Sequence, residues 1–420
     1  MAIELLTIGT ELLLGNTVDT NSAEIGRALA AAGVPVLRRT SVADDPAAIR
    51  EAAQAALQRT GAVLATGGLG PTADDVTKKV IADLFGMRLT FRQEVWEALV
   101  ARFARAGRVP PEKNREQAEV PEGGVILPNR WGTAPGLWLE GPQGLAILLP
   151  GVPAEMRGLL HHEVLPRLTP RAGGRVVRSR TVRTTGVPES ALAERLDRVE
   201  AEVAPLSLAY LPGIEGVDLR LTAWNLAPEE ADRRLAESAA LLTGRAREWC
   251  YGEGDDDLAA VLLAEARRAS LRLATAESCT GGGIGARLTG IPGSSDVFLG
   301  GVIAYHNEAK RSLLGVPGDL FATHGAVSEP VAAAMAAGAA RRFGAELTIS
   351  VTGIAGPDGG TPDKPVGLVY LGFSVRGKVT VHRHQFPGTR EDVRGRAVQM
   401  ALFRLLQLLR AGSSPAGATV

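Results

Sequence analysis

Glycine-rich turns that end a short apolar strand and open a helix recur along this chain, and they limit its folds more than any other feature. The apolar stretch 61–65 runs into Thr66-Gly67-Gly68-Leu69-Gly70-Pro71-Thr72-Ala73-Asp74-Asp75, and a helical pattern follows over 76–85. The stretch 271–276 runs into Glu277-Ser278-Cys279-Thr280-Gly281-Gly282-Gly283 in the same way, with a helix from about 282. Ahead of the first turn, strand patterns at 3–6 and 34–42 alternate with helical ones at 23–32 and 46–60. Thr20-Asn21-Ser22 offers N-caps to the first helix and Gly33 stops it. Such alternation predicts a parallel sheet covered by helices. Ligands of such sheets sit at the C-terminal strand ends, here the loops 9–16, 41–45 and 66–75.

The rest of the chain changes character twice. Residues 171–252 read as a small α+β insert, with strands at 175–184 and 216–224 and helices at 191–202 and 228–248. The polar segment 252–257 reads as a linker. An α/β unit follows over 255–412: a helix at 258–269, strands at 346–351, 366–375 and 378–386, and a closing helix at 390–409. Arg376-Gly377 forms the hairpin turn between the last two strands. The expected layout is therefore an N-terminal parallel-sheet domain at 1–170, the insert, the third domain and a polar, mobile tail at 413–420.

Composition removes several classes of function. Lys+Arg 46 balances Asp+Glu 46, so no global field draws the chain to nucleic acid or an acidic membrane. No apolar run reaches the roughly 18 residues that span a bilayer, and no basic segment precedes the N-terminal apolar run. The two cysteines, Cys250 and Cys279, fit a reducing cytoplasm better than a disulfide framework. Only six of the 46 basic residues are lysine: Lys78, Lys79, Lys113, Lys310, Lys364 and Lys378. Lysine readily gives up its proton and arginine does not, so each is a candidate for chemistry closed to arginine.

In the 66–75 loop, glycines let backbone approach a ligand, free N–H groups at the helix start suit a phosphate, and Asp74 and Asp75 suit a divalent metal bridged to it. An ordinary turn with Asp74 as N-cap is the competing reading. The polar stretches 113–118, 129–136 and 151–156 read equally as turns or as site loops.

Together with Gly9-Thr10-Glu11-Leu12-Leu13-Leu14-Gly15 and Asp19-Thr20-Asn21, these stretches resemble the molybdopterin-binding (MogA/MoeA-like) domain as it occurs in the CinA family. The resemblance implies metal-dependent hydrolysis of the ADP-ribose pyrophosphate, with a divalent ion such as Mg2+. Asp74, Asp75, Asp44 and Glu11 are the metal candidates. Gly67, Gly68, Thr72, Lys113, Asn129, Gly132 and Thr133 are the substrate candidates.

The 277–283 turn puts a hydroxyl and a thiol where backbone N–H groups converge, as an oxyanion hole requires. Tyr305-His306-Asn307-Glu308-Ala309-Lys310 supplies Tyr305 and Lys310, and Ser–Lys pairs are a known way to activate a nucleophile. On composition alone, Ser278 as N-cap, Lys310 as surface charge and Cys279 as a small apolar residue are the stronger readings. The segment, however, resembles the CinA C-terminal domain, which also occurs alone as the nicotinamide-nucleotide amidohydrolase PncC. Thr352-Gly353-Ile354-Ala355-Gly356-Pro357, Lys364-Pro365-Val366-Gly367 and Gly388-Thr389-Arg390 to Arg394 carry the same resemblance.

It implies deamidation of nicotinamide mononucleotide without a cofactor, Ser278 being nucleophile and Tyr305 with Lys310 the activating pair. Thr280, Gly281, Gly282, Thr352, Gly353, Lys364, Arg390 and Arg394 are the substrate-binding candidates. The resemblance also implies a homodimer, while the charge balance and the short apolar runs predict no membrane and no nucleic-acid partner. The insert's helix–strand order resembles a KH module, yet Thr185-Gly186-Val187-Pro188 lacks the Gly-x-x-Gly clamp that KH domains use on nucleic acid. Its basic strand, Arg171, Arg175, Arg178, Arg180 and Arg183, reads as a solvated face or subunit contact. Two competing functions remain open. One is a degenerate N-terminal pocket acting through partners in competence or repair. The other has Cys279 in place of Ser278 as nucleophile.

Overall fold

The computed structural model describes residues 1–105 and 107–413 of the 420. The chain forms two compact units, residues 1–179 with 222–234 and residues 180–221 with 235–420. Residues 414–420 of the expected tail lie outside the described residues.

The first unit is built on β1 (Ile3–Ile8), β2 (Val36–Val42) and β3 (Ala62–Thr66). A small β4 (Leu89–Phe91)–β5 (Glu119–Pro121) pair stands apart, and β6 (Val125–Leu127), β7 (Gly136–Gly141) and β8 (Gly144–Leu149) complete the main sheet in the order β2-β1-β3-β8-β7-β6. The first four in that order are parallel and the last two antiparallel. β1 and β3 are buried along their whole length, as strands covered on both faces must be. Capping sets the helices between them. The helix Thr20–Ala31 is capped by Asp19, which accepts from Ser22 N, and not by the Thr20–Ser22 hydroxyls and amide. The helix Pro46–Thr60 starts on an Asp45 cap with Pro46 in its first turn and stops at Gly61, whose φ of 73° is left-handed.

The KH-like middle segment carries β9 (Val176–Thr184), β10 (Ser207–Gly213), β11 (Gly216–Leu226) and β12 (Cys250–Glu253), ordered β10-β11-β9-β12. The expected helix over 191–202 is two, Glu189–Arg195 and Val199–Val203, broken where Arg198 takes φ 60°. The start of the expected linker is β12, paired antiparallel with β9. Its partner lies some seventy residues away, so local composition could not reveal it. The arginines of the basic stretch all have partners: Arg171 pairs with Glu140, Arg178 with Asp232, Arg180 with Glu253 and Arg183 with Asp218, while Arg175 donates to Asn225 O.

The last α/β region has β13 (Leu273–Glu277), β14 (Phe298–Ile303), β15 (Leu347–Gly353), β16 (Leu368–Val375) and β17 (Lys378–Gln385) in the order β14-β13-β15-β16-β17. β13 is parallel to both neighbours, and the β16–β17 hairpin turns at Arg376 and Gly377, both at positive φ. The helix Arg390–Ser413 extends beyond the expected end. Val393, Ala397, Ala401 and Leu405 recur every four residues on its buried face, with Leu402, Leu406 and Leu409 beside them. Burying each such leucine stabilises the fold by about 2 kcal/mol.

Candidate active site

Three parallel strands bring their C-terminal ends together in this last region. β13 ends at Glu277, next to Ile303 of β14 and Val351 of β15. Ser278 N donates to Val351 O at 3.0 Å and Ala304 N to Glu277 O at 2.7 Å, which fixes Ser278 beside the residues that follow β14 and β15. A cavity of about 260 Å3 opens there, lined by Ser278, Cys279, Tyr305, Lys310, Thr352, Gly353 and Arg390 among others. Six of the expected site residues thus share one wall.

The turn is organised by a residue the sequence reading did not single out. The buried Glu277 carboxylate accepts from Thr280 Oγ1 (2.7 Å), Gly282 N (3.1 Å), Ile284 N (3.0 Å) and Gly285 N (2.8 Å). It therefore caps the helix Gly283–Thr289, the role that Ser278 would take in an ordinary turn. Ser278 Oγ has no hydrogen-bond partner among the described residues. Gly281 N donates to Ser278 O and Gly282 N to Glu277, so neither is free for a substrate oxyanion. Among the described residues, Cys279 N–H and Thr280 N–H have no partner on another residue. Gly281 and Gly282 sit at φ 62° and 94°, backbone that favours glycine.

Lys310 is among the largest fully buried side chains, 2% exposed. Its Nζ donates to Tyr305 O at 2.9 Å, so the Tyr305 backbone holds the amine while the phenol points elsewhere. Burial lowers the Lys310 amine below its ordinary range, opposed by the nearby Cys279. Burial also pushes the Cys279 thiol up, to about 11. Tyr305 is 61% exposed and its hydroxyl meets Arg390, which donates to it at 3.0 Å and to Gly356 O at 2.7 Å.

Thr352, on the cavity lining, donates its Oγ1 to Ala326 O. The other candidates sit one step back: Arg394 donates to Thr280 O and Lys364 Nζ to His324 O. Thr280, Gly281, Gly282, Lys364 and Arg394 are not among the residues lining the cavity, whereas Asn307 and Asp358 are and were not singled out. Asn307 lies inside the 305–310 motif and Asp358 directly follows the 352–357 motif, yet only the folded loops show that both line the cavity.

The N-terminal candidates fall into two groups. Gly67 (φ 111°) and Gly68 (φ 66°) are packed so closely that an added Cβ would lie 2.1 Å from Ile8 O and from Thr77 Oγ1 respectively, so the loop tolerates nothing larger. Thr72 N and Thr72 Oγ1 both donate to Asp75. The Asp74 carboxyl is held below its usual range, first by the Thr72 hydroxyl, with a smaller contribution from the charge of Lys113. Asp44 accepts from Thr10 N (2.9 Å) and Thr10 Oγ1 (3.0 Å), and the Glu11 carboxylate lies against Gly9. Lys78 Nζ donates to Glu116 O, and burial brings its amine down to about 8.

Asn129, Gly132 and Thr133 instead line a cavity of about 550 Å3 beside Arg102 and Arg105, a lining that does not include the 66–75 loop. Asn129 Oδ1 accepts from the N–H groups of Trp131 and Gly132, and its amide donates to Glu155. Asn21 donates to Gly151 O and leaves its buried Oδ1 without a partner.

No three His, Cys, Asp or Glu side chains are grouped to hold a metal ion among the described residues. Asp74, Asp75, Asp44 and Glu11 are thus not gathered into one protein cage. Mg2+ commonly binds through one or two carboxylates plus substrate phosphates. The adjacent Asp74, which is exposed, and Asp75 beside it are compatible with an ion held in that way.

The site and the sheet define a three-part α/β protein with one glycine-rich strand-end turn in its first domain and another in its last. Comparison with known proteins agrees. Residues 4–170 match the family described as "Probable molybdopterin binding domain", 179–252 the "Damage-inducible protein CinA KH domain" and 255–409 the "CinA C-terminal domain". A CinA-like protein of Gemmatimonas aurantiaca is 54% identical over 409 residues, covering 96% of each chain. Another, from Parasynechococcus marenigrum, is 43% identical over 410 residues, or 97% of each chain. The solved competence/damage inducible protein CihA from Agrobacterium tumefaciens is 43% identical over 36% of this chain and 93% of its own, with TM-score 0.35. The chain belongs to the CinA family.

Proposed function

We propose that the chain is a bifunctional hydrolase of pyridine-nucleotide fragments, deamidating nicotinamide mononucleotide in its last domain and hydrolysing the ADP-ribose pyrophosphate in its first. The observation that carries the first activity is the buried Lys310 amine lining the same cavity as the unpartnered Ser278 hydroxyl. Burial shifts the Lys310 amine toward its uncharged form, and an uncharged amine can take the hydroxyl proton.

Ser278 Oγ attacks the carboxamide carbon and its proton passes to Lys310 Nζ. The carbonyl π pair moves onto oxygen, where the N–H of Cys279, which lines the cavity, is the available donor. As the pair returns, the C–N bond breaks and the leaving nitrogen takes the proton from Lys310, giving ammonia and a seryl ester. Water then adds to the ester with Lys310 again as base; the C–Oγ bond breaks, Ser278 Oγ takes the proton back from Lys310, and nicotinate mononucleotide leaves. Arg390 supplies a fixed cation for the nucleotide phosphate, and Tyr305 shares that guanidinium. The raised thiol of Cys279 leaves almost no thiolate at neutral pH, which favours Ser278 as nucleophile.

In the first domain, a divalent ion on Asp74 and Asp75 would neutralise charge on the pyrophosphate. The Gly67–Gly68 backbone would lie along the phosphates, and Lys113 would supply a further cation. A second reading of this domain, nucleotide binding without turnover in support of a partner, draws on the engagement of Asp75 by Thr72 and of Asp44 by Thr10.

Ammonia release from nicotinamide mononucleotide by the full-length chain tests the first activity, and its absence refutes that activity. Consumption of ADP-ribose with and without Mg2+ separates the two readings of the first domain. Binding without turnover in both conditions selects the second.

A further inference from the structure

We infer that a cavity where the middle segment meets the last helix binds a phosphorylated small anion of the nucleoside-phosphate class. The cavity measures about 480 Å3, within the range of small-molecule sites. It is lined by Arg195, Arg245, Arg247 and Arg410, with Glu248 the one carboxylate in the lining. The chain as a whole carries no net charge, so four guanidinium groups around one cavity are a local concentration.

The four divide into two fixed and two available cations. Arg245 is held by both Glu202 oxygens at 2.8 Å, and Arg410 donates to Cys250 O and Tyr251 O. Arg195 uses only its Nε, on Arg245 O, and Arg247 has no partner among the described residues. Both are exposed and retain free N–H groups that match phosphate geometry. Phe403 (2% exposed) and Cys250 (8%) provide an apolar floor. Cations at the rim over an apolar floor suit a molecule with a phosphate at one end and an uncharged ring at the other. A nucleic-acid strand needs a continuous basic track, and the nearby basic strand gives none: Arg178, Arg180 and Arg183 are already ion-paired. The inference stands independently of the proposed hydrolase activities.

Calorimetric titration of the full-length chain with AMP at low and at high salt tests it. We expect saturable binding that weakens as salt rises. It should persist in Arg390→Ala, which alters only the Ser278 cavity, and fall at least tenfold in Arg195→Glu/Arg247→Glu, about 1.4 kcal/mol. Arg247→Ala alone, a milder change at an exposed position, should give a smaller loss with an unaltered Tm. Inorganic phosphate should bind more weakly than AMP. Equal affinity of the double variant and wild type for AMP overturns the site, as does the absence of saturable binding. Phosphate binding as tightly as AMP overturns the nucleoside class, and a short single-stranded RNA that binds tighter than AMP and displaces it replaces the small molecule with a polymer.

Discussion

The two glycine-rich strand ends look alike as sequence and differ in where they put their acids. At 277–283 the carboxylate of Glu277 is folded under the turn and takes four hydrogen bonds. At 66–75, Asp74 is exposed and Asp75 half-buried. An acid inside the turn caps the helix and frees the neighbouring serine, so that turn suits a nucleophile. Acids on the outside leave negative charge open to solvent, so that turn suits a cation and a phosphate. One local motif thus places its carboxylates in two ways, and the proposed division of chemistry between the two turns rests on that difference.

The largest effect that can break this comparison comes from the nucleophile. Ser278→Ala should lower ammonia release from nicotinamide mononucleotide by about 10^4-fold or more, while Cys279→Ala leaves most of it and neither changes ADP-ribose turnover. A full rate in Ser278→Ala with loss in Cys279→Ala would move the chemistry to the thiol.

The next change is at the carboxylate that the comparison turns on. Glu277→Gln keeps the volume but faces an NH2 toward backbone donors, so kcat for deamidation should fall by about a hundredfold. KM should change little, since Glu277 does not line the cavity, and a lowered Tm should accompany the loss. An unchanged kcat would show that the turn holds its shape without the acid.

The corresponding change in the first domain should be milder. Asp75→Asn should raise the Mg2+ concentration needed for ADP-ribose hydrolysis by about tenfold, read as a shift in the metal titration. If hydrolysis and its metal response are unchanged, Asp75 is not a cation ligand.

How much of this contrast the sequence displayed follows from what is local. Ser278, Tyr305 and Lys310, which line one cavity from two separate segments, stand out only through the resemblance, whereas the strand–turn–helix order and the glycines are local and were legible from pattern. The capping role of Glu277 was not, because it depends on which way one side chain turns beneath its own loop. Nor was the path of Arg394 to Thr280 O, which spans over a hundred residues and leaves no periodic trace. The strand β12 was hidden for the same reason, its partner being remote, while the break at Arg198 rests on one left-handed residue that no turn signal announces.

The smallest expected effect concerns stability and lies away from both turns. His384 is brought down to about 4, first by burial and then by Arg404 and His382, and its Nε2 has no partner among the described residues. Between pH 4 and 6.5 the unfolded chain binds the proton that the folded one refuses, so stability falls as pH drops through that window. His384→Phe should flatten that part of the Tm–pH curve. A curve that stays as steep would assign the slope to other groups.

The central claim is that one buried amine, relieved of its charge, makes Ser278 reactive. The pH profile of kcat/KM for nicotinamide mononucleotide, wild type against Lys310→Arg, tests it most directly. Wild-type activity should rise with pH through a group titrating below the ordinary lysine value of 10.5. Lys310→Arg, which keeps the charge but holds its proton, should lose about a thousandfold together with that limb of the profile. Full activity in Lys310→Arg, with the same rise, would contradict the account.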